Sequence, residues 1–378
     1  MVSFLTIFFF LYSLLHLYVF TRIRASFGAS PMVSLALALF MIVMIFAPII
    51  VRLSESAGWG FFGRIMAFVG YTWMGVLFLL VSALIVIDAY RLVLYLLAAV
   101  SGIDLSFLTV SGRSYLALSI AVVAVIAVSG WFDARIIRSE RITVTTSKIA
   151  SEVSPLRIVQ ISDVHLGLLV RQGRLKRIMV EVRKAEPDLL VSTGDFVDGQ
   201  MNDLDGVAEL PERVNPKYGK FAVTGNHEFY AGLDQALAFT RKAGFRVLRG
   251  EALTIPGVIN LVGVDDPAGP GYGSSSKGER ALLSQVPDGR FTLFLKHRPG
   301  VDRESLGLFD LQLSGHLHGG QIFPFKLIVR LFYSFIEGLY RLPQGSLLYV
   351  SRGSGTWGPP IRFLAPPEVT IIDLVRVP

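Results

Sequence analysis

"LRIVQISDVH" (residues 156–165) is an apolar, β-branched run that ends abruptly in a polar cluster. Its first six residues have the length and composition of a buried strand. Asp163 and His165 follow directly on the strand's carboxyl end. The same arrangement recurs four times downstream, in "DLLVSTGDFVD" (188–198), "KFAVTGNHE" (220–228), "FTLFLKH" (291–297) and "LQLSGHLH" (311–318). Further strands are expected at 259–264, 347–351 and 369–375. Between them, "GRLKRIMVEVRKAEP" (173–187) has an amphipathic helical pattern stopped by Pro187, and 233–244 is a helix with a glycine stop. Strands alternating with helices predict an α/β or mixed sheet covered by helices. In such sheets polar groups just past the strands' carboxyl ends are where catalytic groups collect.

The five clusters hold five of the chain's six histidines. Together they supply Asp163, His165, Asp195, Asp198, Asn226, His227, Glu228, His297, His316 and His318, with glycines that permit close backbone approach. Imidazole and carboxylate together suit Mn, Fe or Zn better than Mg or Ca. There are more donors than one ion needs. Two divalent metals about 3.5–4 Å apart, sharing a carboxylate and a hydroxide, account for the surplus. In "GHLHGG" the two histidines are two residues apart. On an extended backbone they would point the same way and reach neighbouring metals from one strand end.

The front of the chain has a different composition. Residues 1–131 carry nine charged side chains and no lysine, against 65 Lys, Arg, Asp and Glu in all. Runs at about 2–20, 32–51, 68–87 and 114–131 reach the roughly 20 apolar residues that cross a ~30 Å hydrocarbon core. The first lacks a basic leading region and a small-residue cleavage site, so it reads as an uncleaved anchor. Residues 91–103, "RLVLYLLAAVSGI", are too short to span alone and either extend the third helix or lie in the interface. No obvious pair appears among the membrane charges, and His16, in the first run, reads as a helix-packing polar group. The basic flanks are nearly balanced, so the positive-inside rule leaves the side of the membrane open. The expected organisation is a transmembrane helical domain over 1–132, a linker and first strand over 133–150, and a catalytic domain over 151–378.

In order and spacing the clusters resemble the calcineurin-like metallophosphoesterase family, whose pattern is D-x-H, G-D-x-x-D, G-N-H-[DE], H, G-H-x-H. The resemblance covers residues 155–375. "GHLHGGQI", "LYVSRGSGTWGPPIRF" and "PPEVTIIDL" are further similar to a bacterial membrane-associated branch typified by YkuE and YaeI, which commonly has Thr where this chain has Leu317. The resemblance implies two facing β-sheets flanked by helices, with the metals at one edge. It implies that Asp163, His165 and His318 bind one metal, that Asn226, His297 and His316 bind the other, and that Asp195 bridges both. His227 would face the substrate as general acid, oriented by Glu228 or Asp163, and Asp198 would orient a ligand from behind. Arg362 is expected either to clamp a phosphate oxygen or to form a surface ion pair.

The implied activity is hydrolysis of a phosphodiester or pyrophosphate by a metal-bridging hydroxide, in the bacterial cytoplasmic membrane. Residues 323–342, "FPFKLIVRLFYSFIEGLYRL", keep near-helical apolar spacing with interspersed basic residues. Read as an interfacial helix, they make a lipid-linked phosphoester a candidate substrate and the bilayer a partner. A net charge of +7 without a block of like charges argues against nucleic acid. The competing reading is a non-catalytic membrane receptor that uses the same domain to bind a phosphorylated ligand. Oligomeric state is not legible in these residues.

Overall fold

The computed structural model describes residues 2–199, 204, 206–269 and 278–377. Most of the small-residue stretch "PAGPGYGSSSKG" (267–278), whose composition reads as a mobile loop, lies outside the described residues. The chain divides into two compact units, Met1–Phe132 with Gly358–Ile361, and Asp133–Trp357 with Arg362–Pro378.

The first unit contains four helices, α1 (Val2–Phe27), α2 (Pro31–Ser56), α3 (Gly60–Ser101) and α4 (Gly112–Asp133). Each is long and apolar enough to cross a membrane. The Ser30 hydroxyl accepts from the Val33 N–H and caps α2, whose first residue, Pro31, has no N–H to leave unpaired. α3 runs unbroken for 42 residues to Ser101, so all but the last two residues of the segment 91–103 extend the third helix. At about 1.5 Å per residue it reaches roughly twice the hydrocarbon thickness. Small residues let α2 and α3 approach closely, since a Cβ at Gly70 would come within 2.5 Å of the Ala47 Cβ. His16 is satisfied on both ring nitrogens, by the Tyr12 carbonyl at 2.8 Å and the Trp73 Nε1–H at 2.9 Å. Asp88, which looked unpaired in the sequence, takes an ion pair from Arg22 and a 2.6 Å hydrogen bond from the Tyr18 hydroxyl. Those partners lie on α1, about 70 residues away, and only helix packing brings them together.

The second unit has twelve strands: β1 (Arg138–Thr146), β2 (Leu156–Ile161), β3 (Leu189–Ser192), β4 (Lys220–Ala222), β5 (Arg246–Val247), β6 (Glu251–Ile255), β7 (Ile259–Gly263), β8 (Thr292–Leu295), β9 (Leu311–Ser314), β10 (Gly338–Arg341), β11 (Leu347–Val350) and β12 (Glu368–Arg376). They form two six-stranded mixed sheets, in the orders β1-β12-β2-β3-β4-β5 and β10-β11-β9-β8-β7-β6. Strand alternation sorts the side chains into layers. Leu156, Ile158, Leu189, Val191 and Ile372 of the first sheet pack against Leu261, Leu293, Leu295, Leu311 and Leu313 of the second. The opposite face of the first sheet, with Val159, Ile161 and Leu190, is covered by Leu175, Ile178, Met179 and Val182 of the helix α5 (Gln172–Lys184). The outer face of the second, with Val262 and Phe294, meets Leu282, Leu283 and Phe309. Each sheet therefore buries both faces, which is why its strands read as continuous apolar runs.

Two features fix where chemistry can occur. β2, β3 and β4 run parallel to one another, as do β8 and β9, so their carboxyl ends collect at one edge of each sheet. Gln160, fully buried in β2, ties the two edges together by donating to the Thr193 hydroxyl at 2.8 Å and the Ser314 carbonyl at 3.1 Å.

The expected helix over 323–342 is not formed. Only Phe325–Val329 is helical, and Gly338–Arg341 is the edge strand β10, paired antiparallel with β11. Main-chain pairing with an open sheet edge wins there over a propensity too weak to carry a long helix. Replacing Leu313, which has no exposed surface between the sheets, by Ala should lower the stability of this unit by about 2–5 kcal/mol, read as an earlier thermal transition of the purified chain in detergent.

Candidate metal centre

Each of the five polar clusters leaves a strand at the shared edge, and the backbone there is unusual. Asp163, His165, Asp195, His316 and His318 all have φ between 51° and 76°, in the left-handed region. These are five of the nine non-glycine residues with positive φ among the described residues. Such backbone costs of order 1–3 kcal/mol per residue and persists only where the surroundings impose it. The pair in "GHLHGG" is therefore not on extended chain. His316 and His318 are left-handed with Leu317 between them near φ −94°, ψ −9°. The coil turns the His316 N–H onto the Asp163 carboxylate at 2.9 Å, as alternating handedness does when it gathers amides around an anion. A Cβ at Gly315 would collide with the Ser162 hydroxyl and Asp163 carboxylate, so only glycine lets this turn sit against β2.

Three groups of side chains lie close enough to share an ion: Asp163, His165 and His318; His165, Asp195 and His227; and Asp195, His297 and His316. The His165 and His318 Nε2 atoms are 3.0 Å apart, and the His316 Nδ1 is 3.2 Å from the His297 Nε2. Asp195 stands between these pairs. Its Oδ2 is 3.7 Å from the His165 Nε2 and 3.2 Å from the His297 Nε2. Nδ1 of His297 donates to the Thr193 carbonyl at 2.8 Å, so Nε2 is the nitrogen turned toward Asp195. The Asn226 Oδ1 is buried with no hydrogen-bond partner. An orphan carbonyl oxygen is costly unless something electropositive sits before it. Imidazole pairs facing one another, two buried carboxylates and this oxygen fit a divalent cation site.

The electrostatics depend on which groups approach Asp195. Burial alone would raise the Asp195 carboxyl, but the charges of His297 and His227 hold it well below the usual carboxylate range. Burial also disfavours charge on His297 and His227. The adjacent carboxylates outweigh it and raise them to about 10 and about 9. His316 goes the other way: burial and the neighbouring His297 push it down to about 3. His318 falls for the same first reason, aided by the Arg362 charge.

The chain matches the model of the calcineurin-like phosphoesterases over residues 156–320. An uncharacterized metallophosphoesterase of Aquifex aeolicus is 42% identical over 240 residues, 63% of this chain and 92% of its own length. The chain belongs to the calcineurin-like metallophosphoesterases. It is thus a metal-dependent phosphoester hydrolase. The Bacillus subtilis metallophosphoesterase YkuE is 32% identical over 277 residues, 68% of this chain and 93% of its own. A Danio rerio transmembrane protein with metallophosphoesterase domain is 31% identical over 276 residues, 68% of this chain and 62% of its own. The chain spans only about 59% of the similar Campylobacter jejuni metallophosphoesterase. With four apolar helices, the chain is a membrane protein.

In this metallophosphoesterase Arg362 and Glu228 sit differently from what the sequence led one to expect. Arg362, expected at the surface or on a phosphate, has no exposed surface. Its guanidinium donates to the carbonyls of Gly355, Arg352 and His318, and Nη2 lies 2.9 Å from the His318 Nδ1. It fastens the GHLH loop to residues 352–355. Glu228 does not orient His227. One of its oxygens accepts from the Asp195 and Gly225 N–H groups at 3.0 and 2.6 Å, the other from Phe196 at 2.7 Å. It clamps the loop that carries Asp195. His227 is oriented instead by Asp198, whose carbonyl lies 2.7 Å and carboxylate 3.0 Å from its Nδ1. Sequence reading missed Tyr333, whose hydroxyl is 3.3 Å from the His316 Nε2, and the Thr193 carbonyl. A tyrosine in an apolar stretch and a backbone oxygen carry no distinguishing signal.

Glu228→Gln puts an NH2 where one carboxylate oxygen accepts backbone N–H groups. It should lower metal content per chain and the thermal midpoint together, while Glu228→Asp, with the charge kept, should lose less of both.

Proposed function

We propose that this chain is a membrane-anchored, dinuclear-metal phosphoesterase of the bacterial cytoplasmic membrane. Its helical domain is residues 1–132, its linker and first strand 133–150, and its catalytic domain 151–378. Asp163, His165 and His318 would hold one divalent cation, and Asn226, His297 and His316 the other. The single observation that carries this reading is the Asp195 carboxylate, which reaches toward imidazoles of both groups with one oxygen. Two cations bound there supply Lewis acidity toward the phosphoryl oxygens and a water acidic enough to attack phosphorus near neutral pH. Mn, Fe and Zn suit the mixed nitrogen and oxygen donors.

The protein's own residues do the rest. Asp198 accepts from His227 Nδ1–H, so the imidazolium can present Nε2–H to the departing ester oxygen. Thr193 and Tyr333 fix the ring planes of His297 and His316. A lipid-linked phosphodiester or pyrophosphate is the proposed substrate. In its support, Leu327, Ile328, Leu331 and Phe332, which follow the metal loop, are exposed, with Leu331 and Phe332 at 79% and 77%. Val329 and Ile336 pack with Leu317, between the two loop histidines, and anchor this ridge to the site.

Asp195→Ala and His318→Ala should abolish hydrolysis of an activated phosphodiester and lower the bound metal, and chelation of the wild type should do the same until divalent cation is restored. His227→Asn should keep its metal yet lose about 10²–10⁴-fold in rate on an alkyl ester, and far less on a p-nitrophenyl ester whose leaving group needs no proton. Full alkyl-ester activity in that variant would remove His227 from the role of acid. The double change Leu331→Ser and Phe332→Ser should cut hydrolysis of a phospholipid in vesicles about tenfold or more while a short soluble ester is turned over as before. Equal loss on both would count against the lipid.

A further inference from the structure

His227 has two exposed aromatic rings beside it. Tyr230, one turn further along its own short helix (Asn226–Ala231), has its ring centre 5.4 Å from the imidazole at 68°. Trp357, from the loop before β12, lies 5.8 Å away at 72°. Both are more than half exposed, Tyr230 at 59% and Trp357 at 54%. Leaving so much aromatic surface in water is costly, at about 25 cal/mol per Å² of apolar area. Trp357 is also held in place. The Gln321 amide donates from Nε2 to the Trp357 carbonyl at 2.8 Å and accepts the Trp357 N–H on Oε1 at 3.0 Å. Gln321 lies three residues past His318 and has a positive φ of 52°. The loop that supplies two metal-site histidines thus also locks the backbone of Trp357. A surface tryptophan without a task needs no such two-pronged anchor.

We infer that Tyr230 and Trp357 form the subsite for the leaving alcohol, and that this alcohol carries a planar ring next to the ester oxygen. The inference rests on His227 as the proton donor. In the step it serves, the oxygen of water forms the new bond to phosphorus and the ester P–O bond breaks. The His227 Nε2 proton passes to the departing oxygen, and the proton lost by the water restores the imidazolium. Whatever is bonded to that oxygen must therefore lie beside the His227 ring, within reach of the two aromatic rings next to it. Aromatic rings contribute about 1–3 kcal/mol to stacking with a planar ring, and less to an alkyl group, which lacks a complementary π-face. The group retained on phosphorus stays on the other side, so a ring-bearing leaving group is compatible with a lipid on the retained side.

The test compares benzyl, cyclohexylmethyl and ethyl phosphodiesters, whose alcohols are similarly poor leaving groups, together with equilibrium binding of the matching phosphonates by calorimetry. The full-length protein in detergent should favour benzyl over ethyl by about tenfold or more in kcat/KM, and benzylphosphonate should bind correspondingly tighter. Tyr230→Ala and Trp357→Ala should each collapse both ratios toward one, while Trp357→Phe keeps most of them. Bound metal per chain checks that each variant is folded. No benzyl preference in the wild type, or the same preference in both alanine variants, overturns the subsite. A cyclohexylmethyl ester favoured as strongly as benzyl overturns the planar ring. The His227→Asn comparison of alkyl and p-nitrophenyl esters reads the acid separately. Its failure with the ring ratios intact would remove the acid, whereas its success with the ratios absent would remove only the subsite.

Discussion

The Asp195 carboxylate sits between the imidazoles of His165 and His297, in a place where burial alone pushes its pKa up and the neighbouring histidines hold it down. The architecture follows from that placement. One sheet delivers Asp163, His165, Asp195 and Asn226 from the ends of β2, β3 and β4. The other delivers His297, His316 and His318 from β8 and β9. Neither sheet alone supplies the whole donor set, so the site exists only where the two edges are held together. Gln160 ties those edges, and the apolar layer between the sheets sets their spacing.

The backbone bears much of the cost. Five of the residues that face the site are left-handed, and three side chains fasten the loops that carry Asp195, His316 and His318. Glu228 collects the amides of the Asp195 loop, Asp163 takes the His316 N–H, and Arg362 ties down the GHLH loop by its carbonyls. Two of these anchors are buried charged groups whose partners are mostly main-chain atoms. That is a strong arrangement, because a charged group satisfied by several backbone dipoles leaves nothing unpaired when the cations bind. The same loops then reach outward. Residues past His318 lead to Gln321, which positions Trp357, and to the exposed ridge through Phe332. The metal-site geometry and the proposed substrate contacts thus hang from one segment.

Much of this was legible in the residues themselves. Four apolar runs without lysine can only be long helices in a bilayer or a core. Five strands that each end in Asp, Asn or His specify metal chemistry, because no other common role needs those side chains at five strand ends together. The segment 91–103 needed the structure, since a helix of 13 apolar residues and the tail of a longer one look alike in sequence. So did the stretch 323–342, where near-helical spacing lost to pairing with a sheet edge.

By itself the sequence determined which atoms can bind cations, for donor type and order along the chain are covalent facts. It also determined that four helices long and apolar enough to cross a membrane precede the α/β part. Only the tertiary structure decided what each supporting residue does. Arg362 and Glu228 are ordinary charges in a linear chain, and their roles come from the carbonyls and amides that folding places around them. The same holds for His227 beside both Tyr230 and Trp357, residues 127 apart along the chain. Periodicity records which face of an element is buried, whereas contact between distant loops is set by sheet packing and leaves no periodic trace.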